Sequence, residues 1–176
     1  MLSVLIQDKL AVLELPKARF EIRIDKKENL SKDGIDNVEF LISTNVSEDL
    51  KPLAKVASGG EISRVMLAIK SIFAENDDID TVIFDEIDTG ISGRATQSVA
   101  EEMVSLGKTH QIIAITHQAI IASKADKHFY VRKSQEDKTK VEVYVLTGNN
   151  KIKALAELAG GTINDQSIEF AKSLLE

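Results

Sequence analysis

The sequence contains no cysteine, which excludes disulfides and thiolate metal sites and fits a reducing compartment. It has no excess of basic residues. Its 22 Lys and Arg against 28 Asp and Glu give a formal charge of -6, which argues against a broad nucleic-acid face on this segment. No apolar run approaches the roughly 18 residues of a membrane span, and the N-terminus lacks a basic region and a cleavage site. The expectation is a soluble, cytoplasmic chain with no membrane partner. The absence with the largest consequence is chemical: no G-x-x-x-x-G-K-[ST] phosphate loop occurs in the 176 residues. Gly107-Lys108-Thr109 does not supply one, because the first glycine of that motif would have to stand where Glu102 does. The tripeptide also precedes a strand, whereas a phosphate loop follows one. It reads as a helix C-terminal glycine with a lysine on the helix dipole.

What is present is enough for one domain with a core, with 43% hydrophobic residues. Leu2, Leu5, Ile6, Leu10 and Leu13 share a helical face that ends before Pro16. From Ala18 to Asp25 the pattern alternates, with Ala18, Phe20, Ile22 and Ile24 on one side of a half-buried strand. Lys32-Asp33-Gly34 supplies a turn, and Val38, Phe40 and Ile42 begin a second strand. The rhythm then changes. Ile62, Val65, Met66, Ile69, Ile72 and Phe73 form a helical stripe that stops near Asn76-Asp77-Asp78. Thr81–Phe84 and Ile112–Ile115 are short, continuously apolar runs, as expected of parallel strands buried on both faces, with a helix over Ala95–Leu106 between them. A short helix at Ala119–Ala125, strands at His128–Val131 and Val141–Leu146, and two closing helices separated by Gly160-Gly161 complete the reading. The fold class is α/β: a mostly parallel sheet flanked by helices, with antiparallel strands near the N-terminus.

Three stretches carry chemistry. Ser58-Gly59-Gly60-Glu61 fits an S-x-x-E capping box, the commoner meaning of such a tetrapeptide, and it also fits a helix start whose bare amides and dipole receive a phosphate. Val82-Ile83-Phe84-Asp85-Glu86 is an apolar strand ending in acids. These either cap the next turn or stand where ligands of open α/β sheets bind, with Asp85 suited to Mg²⁺ and Glu86 to a water nucleophile. His117 ends the second apolar strand and should emerge on the same sheet edge as Asp85 and Glu86, where it could donate to a phosphate, although a lone histidine at a strand end is more often structural. His110 and His128 sit beside strand starts and read as structural; no pair of histidines has metal-ligand spacing.

The order of these stretches is similar to the distal half of an ATP-binding-cassette (ABC) site. More specifically, the chain resembles the C-terminal part of the head of the RecN family of SMC-like bacterial DNA-repair ATPases. The resemblance rests on Leu53 to Arg64, on Phe84 to Arg94 with its Asp88-Thr89-Gly90-Ile91-Ser92-Gly93 run, and on Thr116-His117-Gln118. Ala125 to Phe129 and Ala156 to Gly161 continue it, so that it runs from about Pro16 to Leu175. It implies a split head: residues 1–15 as the stump of a returning coiled-coil arm, and residues 16–176 as the C-terminal part of the ATPase fold, without the Walker A segment. It further implies that Ser58, Gly59, Gly60 and Glu61 form the signature that contacts ATP on an opposite head. Asp85 would hold Mg²⁺, Glu86 would act as catalytic base, Asp88 would belong to the loop between heads, and His117 would be the switch histidine. The implied partners are the chain's own N-terminal Walker A segment, a second head and, through the full-length protein, DNA. The implied setting is double-strand-break repair and recombination on the nucleoid. The chain alone is then expected to lack ATPase activity. Two alternatives stand beside this reading, a non-enzymatic assembly module and a fragment of a transporter cassette.

Overall fold

The computed structural model describes residues 2–56, 59–74, 78–135 and 139–176. They contain six α-helices and seven strands, and the chain divides into two compact units, Met1–Ile115 and Thr116–Glu176.

In the first unit, α1 (Leu2–Val12) buries Ile6 and Leu10, with Leu13 just beyond its end, whereas Leu5 is half exposed. Its polar side fixes its place: Gln7 accepts from the Phe20 amide at 3.1 Å, and Lys9 pairs with Glu102 at 2.9 Å. Strands β1 (Arg19–Ser31), β2 (Gly34–Ser43) and β3 (Lys51–Pro52) form an antiparallel sheet in that order. The expected alternation sets the register, with Phe20 opposite Ile42, Ile22 opposite Phe40 and Ile24 opposite Val38. Gly34, at φ +93°, turns the hairpin where the sequence asks for a turn. The first strand runs past Asp25 to Ser31, through Lys26, Lys27, Glu28 and Asn29, which are polar on both faces and give no alternation to read. Backbone pairing at Lys26 and Ser31, with a register irregularity between them, and side-chain bonds from Lys27 to Ser31 and from Ser31 to the Gly34 carbonyl carry that extension.

Helix α2 (Gly59–Phe73) buries Val65, Leu67, Ala68 and Ile69, and α3 (Arg94–Leu106) buries Val99, Met103 and Leu106. The expected helix stop at Asn76-Asp77 lies outside the described residues. Gly107 caps α3, its amide donating to the Met103 carbonyl at 2.8 Å, which settles the tripeptide as a helix end. Strands β4 (Thr81–Phe84) and β5 (Gln111–Ala114) pair in parallel from Thr81 opposite Gln111 to Phe84 opposite Ala114. Among the described residues this is the only parallel pairing. Its burial differs from the expectation drawn from its composition. The partnered Ile83 and Ile113 are 63% and 45% exposed, because a parallel pair needs cover on both faces and one face here has none among the described residues.

In the second unit, α4 (Ala119–Ser123), α5 (Gly148–Gly160) and α6 (Asp165–Ser173) close on Ala119, Ala122, Leu155, Ala156 and Ala171. Gly161, in the left-handed region at φ +68°, ends α5 by donating to the Glu157 carbonyl. Asn164 and Ser167 exchange side-chain-to-amide bonds at the start of α6. Strands β6 (His128–Gln135) and β7 (Thr139–Leu146) make an antiparallel ribbon. On one of its faces Phe129 opposes Val145 and Val131 opposes Val143, and all four are more than half exposed.

Candidate functional site

The glycine pair and the acid-ended strand, some 25 residues apart in sequence, meet in the first unit. Gly59 and Gly60 open α2, and the chain leaves β4 through Asp85 and Glu86 directly beside them. A Cβ at Gly60 would lie 2.8 Å from the Thr89 carbonyl oxygen and 3.0 Å from that of Glu86, so only hydrogen fits there. At Gly59 a Cβ would lie 2.5 Å from Glu86 Oε2. The carboxylate therefore rests against the first residue of α2, where the positive end of the helix favours an anion.

The turn that carries these acids is held from the helix. Ser63 Oγ donates to the Asp85 carbonyl at 2.8 Å, and the Arg64 guanidinium donates to the Thr89 carbonyl at 3.1 Å. The Thr89 amide closes the turn on the Glu86 carbonyl at 3.1 Å. Glu86 itself sits at φ +56°, a left-handed conformation that costs a residue with a side chain about 1–3 kcal/mol. Asp85 and Glu86 are exposed, while Ile87 and Asp88 are buried and anchor the turn from below. The burial of Arg64 lowers its pKa, an effect opposed by the nearby Glu61 carboxylate; arginine is basic enough to stay charged at neutral pH.

Of the sequence-predicted residues, the structure thus brings together Gly59, Gly60, Glu61, Asp85, Glu86 and Asp88. Ser58 lies outside the described residues, and the capping-box reading with it. His117 is exposed three positions after β5 and belongs to the second unit. His110 is buried with Nδ1 2.8 Å from Thr109 Oγ1, as a structural histidine should be. Sequence reasoning gave no role to Ser63, Arg64 or Thr89. A signal for Arg64 existed, since it lies one turn after Gly60 and one turn before Ala68, a lone cation on a buried helical face.

Chemically, the corner offers an exposed carboxylate at the carboxyl end of β4, a second carboxylate one residue on, and the amides of a helix start. No cluster of three His, Cys, Asp or Glu able to hold a metal exists among the described residues. A single carboxylate suits an ion such as Mg²⁺, which keeps waters and takes its other ligands from phosphates.

Known proteins show what the chain is similar to. No protein-family profile matches the chain. The DNA repair protein RecN of Halalkalibacterium halodurans is 40% identical over 97% of the chain, and that of Bacillus subtilis is 46% identical over 84%. Its sequence is of the RecN type. RecN of Deinococcus radiodurans agrees, at 38% identity over 97% of the chain. The chain spans only 31%, 26% and 31% of the lengths of these relatives, about a third at most. Among solved structures, the Smc head domain with a coiled coil and joint from Pyrococcus yayanosii matches 89% of the chain with a TM-score of 0.62 and 22% identity. A structure solved in a study of ATP-driven dimerisation and DNA-stimulated activation of SMC ATPases covers 92% of each chain, with a TM-score of 0.52 and 23% identity. At such identities the likeness is one of fold: a mixed α/β architecture resembling SMC ATPase heads.

Proposed function

We propose that the chain is the C-terminal part of an SMC-like ATPase head that acts in DNA double-strand-break repair and recombination. The observation that carries this reading is the packing of Gly59 and Gly60 against Glu86, which puts a helix start able to receive a phosphate beside a carboxylate able to work on water. The RecN relatives supply the biological setting. Residues 1–15 are the foot of a coiled-coil arm and residues 16–176 the C-terminal portion of the head, completed by an N-terminal segment carrying the phosphate loop.

In this reading, which follows the family resemblance, Ser58, Gly59, Gly60 and Glu61 face the phosphates of ATP held by a second head. Asp85 would hold Mg²⁺, and the ion would supply positive charge to neutralise the phosphates. Glu86 takes a proton from the attacking water, Asp88 keeps the loop between heads in shape, and His117 senses the γ-phosphate. Two heads close on ATP and part after hydrolysis. DNA is engaged through the full-length protein, on the nucleoid in the cytoplasm. No helix among the described residues is long and apolar enough to cross a membrane, and no membrane role is proposed.

The test compares steady-state ATP hydrolysis by the chain alone, by a complete head and by a complete head carrying Glu86→Gln. The chain alone should be inactive, and Glu86→Gln should lower kcat of the complete head by about 100-fold or more. A complete head that turns over normally with Glu86→Gln overturns the reading.

A further inference from the structure

The turn after β4 is closed by backbone bonds from the Thr89 amide to the Glu86 carbonyl and from the Ile91 amide to the Asp88 carbonyl. It is held from outside by two adjacent residues of α2. Ser63 holds the carbonyl immediately before Glu86, and Arg64 holds the carbonyl at Thr89, where the turn closes. Between these two anchors the backbone passes through a left-handed conformation that Glu86 would not adopt unaided. The Glu86 side chain is exposed, and its carboxylate rests against Gly59 at the start of the same helix. Its direction is therefore set by α2, through that contact and through the backbone that α2 holds.

Arg64 is an unusual choice for a merely structural prop. It is only 5% exposed, its Nε has no hydrogen-bond partner, and it donates to a neutral carbonyl, with the charge of Glu61 only partly offsetting its burial. Burying a guanidinium for one such bond is a poor way to stabilise a fold, because an apolar residue would avoid the desolvation cost. A guanidinium does supply what an apolar residue cannot, a rigid, directional donor that fixes one carbonyl from a distance of several bonds.

We propose that Arg64, with Ser63, is a positioning residue that holds the Asp85–Thr89 turn so that the Glu86 carboxylate points at the water to be activated. The proposal rests on the ATPase reading above and adds a residue that reading does not need. It makes α2 a two-ended part. Its first turn faces the phosphate of the opposite nucleotide, and its second turn sets the base of its own lobe.

The first test uses a complete head carrying Arg64→Met, Arg64→Lys or Ser63→Ala. Arg64→Met should lower kcat by about 10- to 100-fold and leave KM for ATP within about twofold, and Arg64→Lys should recover part of the loss. Combined with Glu86→Gln, Arg64→Met should add no further loss, because it acts through that carboxylate. Unchanged kcat in Arg64→Met, equal effects on kcat and KM, or losses that multiply with Glu86→Gln overturn the proposal. The second test uses the 176-residue chain and does not depend on turnover. In Arg64→Met the amides of Thr89 and Ile91 should exchange with deuterium at least about tenfold faster, with β1 and β2 unchanged. If Arg64→Met does not fold, Arg64→Lys and Ser63→Ala carry both tests. Unaltered exchange defeats the clamp. A wild-type complete head without turnover defeats the proposed function instead, and faster exchange in that case still supports the clamp.

Discussion

The corner between α2 and the Asp85–Thr89 turn and the ribbon of β6 and β7 solve opposite problems. At the corner, close contacts are local and specific: glycine hydrogen against carbonyl oxygen, hydroxyl and guanidinium on neighbouring carbonyls, a buried aspartate below. On the ribbon, Phe129, Val131, Val143 and Val145 follow strand alternation and make paired contacts, yet water reaches more than half of each. The corner is finished within its own unit, and the ribbon's apolar face is not. A residue's type therefore reports where it sits in a strand or helix, while its burial depends on chain that is elsewhere.

That contrast can be broken by measurement. Gly60→Ala should destabilise the chain by about 1–3 kcal/mol, because its Cβ meets backbone on two sides and the turn must shift. Gly59→Ala should cost less than about 1 kcal/mol, since the atom in its way is the free end of the Glu86 side chain. Urea unfolding of both variants checks the order, and equal losses would mean that the corner is softer than its geometry implies. On the ribbon, Val143→Thr should stay within about 0.5 kcal/mol in the same experiment, as an exposed strand position that keeps a β-branched side chain. A loss as large as that of Gly60→Ala would show that the ribbon's face is buried in solution.

The smallest expected effect lies on the other side of the ribbon. Burial first, and then the charge of Lys151, hold the His128 pKa below its ordinary 6.5. The unfolded chain therefore binds more protons than the folded one between the lowered value and 6.5, and stability should fall as pH drops through that window. The loss should be small, because the group is only partly withdrawn from water. It should vanish in His128→Gln, as followed by thermal unfolding between neutral and mildly acid pH.

Much of this was legible in the sequence because it depends on period and on glycine. The alternation at Phe20, Ile22 and Ile24 fixed the register of β1 on β2, and the stripe at Val99, Met103 and Leu106 fixed the inner face of α3. The candidate site was readable as residue types at strand and helix ends. What stayed hidden was of two kinds. The bare faces at Ile83 and Ile113 look, in composition, the same as buried ones, because hydrophobicity records the need for cover and not its source. The roles of Ser63 and Arg64 depend on a contact between segments more than twenty residues apart, which no local pattern encodes.

Glu86 has a consequence for anyone engineering this chain. At φ +56° its backbone would be easier as glycine, by about 1 kcal/mol, so the substitution that most directly relieves local strain also deletes the carboxylate. Screens that reward heat resistance alone would drift towards Glu86→Gly and report success while discarding the carboxylate proposed above as the base. On that reading robustness and activity pull in opposite directions at position 86, and a library for this chain should hold it fixed.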